Sequence, residues 1–105
     1  MIKVSVLYPN SSEARFDMNY YLGKHMPLVR EKSGSTCRGM TVDLGLAGGA
    51  PGSPAAYVAM GHILYDSVEA FQAVFAQHGP ALLADIPNFT NVQPIIQISD
   101  VKMSA

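Results

Sequence analysis

His25 stands four residues after Tyr21 and eight after Asp17. Residues four apart share one face of a helix, so this spacing predicts a row of Asp17, Tyr21 and His25. In such a row a carboxylate or phenol orients an imidazole that titrates near neutrality, and the chemistry is general acid or base catalysis. The same residues also read more plainly: a capping Asp, two packed aromatics (Tyr20 and Tyr21), and a polar His that bonds a carbonyl freed at a kink. Spacing alone does not choose between these readings.

His62 and His78 are the remaining histidines. His62 falls mid-strand among apolar neighbours, and His78 ends a helix, where the macrodipole favours an imidazolium. With Tyr20, both are candidates for the wall of a ligand pocket, and both also read as ordinary structural histidines. No two histidines lie at i and i+4, so no metal site is expected. Cys37 is the only cysteine, which excludes an internal disulfide and a cysteine-based zinc site. Arg38 beside it points to the opposite face of a strand, so Cys37 reads as structural. Met18, Met26, Met40 and Met60 read as core filler. The glycines of residues 47–54 lack the strand-to-helix setting of a phosphate cradle.

The elements that must carry these residues follow from periodicity. Ile2 to Tyr8 alternates, with Ile2, Val4, Val6 and Tyr8 on one face and Lys3, Ser5 and Leu7 on the other. Pro9-Asn10-Ser11-Ser12 is a turn. Asp17 is an N-cap candidate with Phe16 as a staple before it, and a helix runs from Met18 to about Lys32. Pro27 inside it clashes with the carbonyl of Gly23, which predicts a kink with Met26 pushed out of α geometry and His25 beside the bend. Strands follow at about Thr36–Leu46 and Ala55–Tyr65, joined by a loop rich in glycine and proline. Asp66 or Ser67 caps a helix from Val68 to His78, with Val68, Phe71, Val74, Phe75 and His78 on one stripe. Gly79 ends it, Pro80 opens a short turn from Ala81 to Asp85, and Ile86–Phe89 is a connector. A last strand covers about Asn91–Val101.

The order β-α-β-β-α-β predicts one domain over residues 1–105. Its class is α+β and ferredoxin-like: a four-stranded antiparallel sheet with two helices on one face. Both sheet faces are too apolar for water. Apolar residues make up 49% of the 105 and charged residues only 14%. A self-associating protein tolerates so little charge, so the expected state is a homodimer packed sheet on sheet. The net charge is −1, without a basic stripe, which argues against nucleic-acid binding. No apolar run reaches the length of a membrane span, and the N-terminus reads as a strand rather than a signal peptide, so the expected location is the cytoplasm.

Val6-Leu7-Tyr8-Pro9-Asn10, Arg15-Phe16-Asp17, Tyr20-Tyr21 and His25-Met26-Pro27-Leu28-Val29 occur here in one order. In these segments the chain resembles the EthD family, named for ethyl tert-butyl ether degradation. The resemblance implies a dimeric α+β barrel. That wider group includes small monooxygenases of polyketide pathways, muconolactone isomerases, haem-degrading enzymes and stress-response proteins, so fold alone does not set function. EthD proteins are associated with cytochrome P450 systems for ether breakdown; other members resemble dehydratases or decarboxylases of aromatic polyketides. His25 matches the family's His-x-Pro-Leu histidine. The Asn-containing motifs of haem-degrading relatives are not recognisable, and no cofactor is expected. The resulting expectation is a small apolar or aromatic ligand between sheet and helices, with His25 as acid/base supported by Tyr21 and Asp17. The chemistry would be cofactor-free oxygenation, dehydration or isomerisation. Two alternatives stand beside it: a non-catalytic accessory protein of an oxidative degradation system, and a structural dimer whose cavity its own side chains fill.

Overall fold

In the computed structural model, which describes residues 1–105, β1 covers Ile2–Pro9, β2 Cys37–Leu44, β3 Tyr57–Tyr65 and β4 Ile95–Asp100. They form one antiparallel sheet in the order β2-β3-β1-β4. The first helix occupies residues 18–33 and the second Val68–Asp85. The architecture is the ferredoxin-like α+β fold, with both helices on one face of the sheet. Strand alternation decides which residues meet them. Ile2, Val4 and Tyr8 of β1 and Ala59, Ile63 and Tyr65 of β3 join Tyr21, Met26, Val29 and Val74 in the core. The intervening residues lie on the open face, among them Leu7, Met60, His62 and Leu64.

The first helix departs from a simple kink. Met18–Tyr20 is α, Tyr21–His25 is a π turn, and α geometry resumes at Met26–Ser33. The Met26 N–H bonds the Tyr21 carbonyl, one residue further back than in an α-helix. Met26 itself keeps α dihedrals (φ −65°, ψ −37°), contrary to the expectation from the residue before a proline. The wide turn just upstream absorbs the obstruction at Pro27 instead. Gly23 is not needed for space, since a Cβ there meets nothing within 4 Å.

The second helix also corrects the sequence reading, because it runs through Gly79 and Pro80 without a stop. Ala76 and Pro80 are both exposed, so water can satisfy the carbonyl that the proline leaves unpaired. Gly79 is buried, and a Cβ there would lie 3.2 Å from the Phe75 ring, so glycine serves packing at this point. Ser67 is the cap: its side chain accepts from the Ala70 N–H. β4 begins four residues later than expected, because residues 91–94 belong to the irregular approach.

Candidate active site

The π turn points Tyr21 and His25 into the protein together. Their rings stack at 5.5 Å with 13° between planes, and Phe89 closes on His25 at 4.6 Å. Only 6% of His25 is exposed. Its Nδ1 lies 2.9 Å from Oδ2 of Asp85, the last residue of the second helix. Asp85 Oδ1 accepts from the Tyr20 hydroxyl at 2.6 Å and from Asn88 Nδ2 at 2.9 Å. Partial burial by itself raises the Asp85 carboxyl, but the bonds from Tyr20, Asn88 and His25 outweigh it and hold the group below the usual carboxylate range. Ionised Asp85 can only accept, so His25 Nδ1 carries a proton, and a ring holding that one proton has its lone pair at Nε2.

Nε2 has no hydrogen-bond partner in the chain, yet no sealed side-chain nitrogen or oxygen is left unpaired. It therefore opens on reachable space. His25 lines a cavity of about 60 Å³ between sheet and helices, where the other walls include Val4, Tyr8, Met26, Phe71 and Leu82. An oriented imidazole in an otherwise apolar enclosure can take a proton from a bound molecule and return it.

The EthD-domain family model matches residues 9–93 of the chain. The chain belongs to the EthD family. Among solved structures it is similar to an EthD-like protein of Ralstonia eutropha JMP134, with 47% identity and a TM-score of 0.94 over 99% of this chain and 94% of that one. An ethyl tert-butyl ether degradation (EthD) family protein of Bacillus halodurans C-125 shares 24% identity with a TM-score of 0.72, covering 96% and 98%. A structure described as an antibiotic biosynthesis monooxygenase shares 15% identity with a TM-score of 0.50, covering 96% and 98%. These last two likenesses concern the fold. No functionally curated protein matches.

Within this EthD chain the sequence-derived row of Asp17, Tyr21 and His25 is rearranged. Asp17 Oδ1 accepts from the Tyr20 N–H at 3.1 Å, so its carboxylate caps the helix and does not orient His25. Tyr21 supports His25 by stacking; burial pushes its phenol up to about 12, so it stays neutral near pH 7. Tyr20 joins the site through Asp85. His62 lies on the opposite sheet face, since it sits one residue after Gly61, which faces Tyr21 and Met26 of the first helix. There its Nδ1 lies 2.8 Å from Ser5 Oγ and its Nε2 3.3 Å from Asp43 Oδ2. His78 is half-buried on the second helix and lines neither the His25 cavity nor the groove beside it.

Sequence reading missed Asp85 and Asn88. One signal was present in Asp85: a carboxylate closing a helix opposes the macrodipole, at about 0.3–1 kcal/mol. A residue held against that cost has work elsewhere.

Proposed function

We propose that this EthD protein binds a small, largely apolar organic molecule between its sheet and helices and moves a proton on it through His25. Asp85 orients the ring, and Tyr20 and Asn88 hold Asp85. The observation that carries the reading is the His25–Asp85 bond on a histidine that lines an apolar cavity. In the step, Nε2 removes a proton from a carbon beside a carbonyl, leaving an enolate. The imidazolium then returns the proton to another carbon, which is isomerisation, or to a departing hydroxyl, which is dehydration. These side chains suffice for both steps, and either fits a degradative or polyketide-type pathway.

A homodimer belongs to the same reading. A monomer of 11.2 kDa exposes about 5,700 Å² on average, whereas this chain exposes 6544 Å². The excess, roughly 850 Å², is close to one partner's share of a standard interface. The molecule is a slab 40 × 33 × 19 Å, and the uncovered sheet carries Leu7, Met60, Leu64 and the 52%-exposed Ile95. A second copy on that face would complete an α+β barrel.

Deuterium exchange into small ketones and lactones in D₂O, followed by NMR, tests the chemistry. Exchange that falls roughly 10²–10⁴-fold in His25→Ala supports it. Binding that perturbs His25 with no exchange in any compound overturns catalysis in favour of a second reading, an accessory binding protein for an oxidative system such as ether breakdown. The lining favours that second reading in one respect: apart from His25 it is entirely hydrophobic side chains, with no second acid or base to share the proton transfer.

A further inference from the structure

We infer that the open groove between the end of the second helix and β4 is the outer half of one ligand site. Its inner half is the His25 cavity, and its ligand is an elongated, uncharged, mainly apolar molecule. The inference rests on the binding reading above and names its substrate class.

The first argument is volume. The inner cavity of about 60 Å³ holds about two waters. The groove measures about 520 Å³, within the roughly 300–1,000 Å³ of small-molecule sites. An organic substrate cannot be contained by the first space alone.

The second argument is a shared wall. Leu83, Ile86 and Ile96 line both spaces. Leu83 and Ile96 are 45% and 41% exposed, so packing does not lock their rotamers. A rotamer change in either widens the junction without moving the backbone.

The third argument is charge. No Asp, Glu, Lys or Arg lines either space. A charged ligand would lose hydration and gain no counterion. Two polar side chains of the groove are already committed. Thr90 Oγ1 donates to the Arg15 carbonyl and accepts from the Val92 N–H. Asn91 donates to the Glu13 carbonyl and accepts from the Arg15 N–H. The exposed Gln93 amide is left for the ligand's outer end.

The test uses the full chain and a series of alkyl phenyl ketones from acetophenone to octanophenone, with NMR signals of His25 and Gln93 as readouts. Both residues should respond, and affinity should rise about fourfold per methylene as the chain extends along the groove. Leu83→Trp and Ile96→Trp, both at exposed positions, should each narrow the junction and weaken the long ketones roughly tenfold or more. A flat dependence on chain length overturns the continuous site, and so does undiminished affinity in both variants; in either case a responding His25 leaves the binding reading intact. Silence at His25 with every ketone removes the binding reading, and the inference falls with it.

Discussion

Asp85 stands 60 residues from His25 in the chain, and its Oδ2 lies 2.9 Å from His25 Nδ1 in the fold. The pair couples the middle of the first helix to the end of the second over the same sheet face. The π turn sets one partner and the last residue of the second helix sets the other. Both side chains are largely shielded, at 7% and 15% exposure, so the bond is neither a freely solvated surface pair nor a sealed one. One oxygen of Asp85 holds the imidazole while the other is held by Tyr20 and Asn88.

Asp85→Asn removes the one partner that only accepts. In the wild type, ¹⁵N spectra of neutral His25 should show the proton on Nδ1. In the variant, an amide that both donates and accepts no longer enforces this, and both tautomers should be populated. Deuterium exchange into a bound ketone should fall roughly 10²–10⁴-fold. A His25 tautomer that stays fixed in the variant would show that Asp85 does not orient the ring.

Acid stability follows from the same carboxylate. The folded value of Asp85 lies below its unfolded value, which is about 3.9. Its contribution is therefore complete above the unfolded value and is lost as pH falls through the lower, folded one. Asp66 and Asp100 are also lowered, so the wild type must be compared with Asp85→Asn. The stability gap in urea should shrink between about pH 4 and 2. A gap that widens with acid would reverse the sign and contradict the geometry.

The fold was legible where periodicity was strong. Alternation in β1 puts Ile2, Val4, Val6 and Tyr8 on one face, and that face is the one the structure packs against the helices. Local rules failed where tertiary packing overrode them. Pro27 was absorbed by a π turn, which no propensity scale encodes, and Pro80 was tolerated because its side of the helix meets water. The candidate site was half legible. His25 sits in a recognisable segment, but its true partner comes from a distant helix end, and helical spacing nominated Asp17 because it sees only local neighbours. His62 was grouped with His25 by residue type, whereas strand parity puts it on the other face.

Alkaline pH should expose the buried phenols. Burial pushes Tyr21 up to about 12, and Tyr8, edge-on to it, higher still. Folded values raised above the unfolded value of about 10 contribute stability below that pH and lose it above. The tyrosines' share of the unfolding free energy should thus be level below about pH 10 and fall between about 10 and 12. Absorbance at 295 nm should rise together with loss of near-UV circular dichroism. Ionisation of all five tyrosines near pH 10 with the fold intact would exclude this burial.

Self-association should depend on the open sheet face. Leu7 pairs across the sheet with Met60 on one side and Ile95 on the other. Leu7→Glu places a charge in the middle of that apolar strip, where burial by a second copy would strand it. Sedimentation velocity should show a dimer for the wild type and a monomer for the variant, with far-UV circular dichroism unchanged. A wild-type monomer at micromolar concentration would rule out the sheet-on-sheet dimer.

Gly61 tests whether the stacked Tyr21 matters to His25. A Cβ on Gly61 would fall inside the contact distance of the Tyr21 hydroxyl, while the ring carbon behind that hydroxyl would lie at an ordinary 3.4 Å. Gly61→Ala therefore collides with one atom, and overpacking of this kind costs about 1–3 kcal/mol. Tyr21→Phe removes that atom, and the loss of a buried hydroxyl costs about 1–3 kcal/mol by itself. The double variant should then be more stable than the sum of the single costs predicts, by about 1 kcal/mol or more. His25 NMR shifts should move in Gly61→Ala and return towards the wild type in the double variant, because Tyr21 is the ring stacked on His25. Simple additivity with unmoved His25 signals would mean that β3 does not position the imidazole through Tyr21.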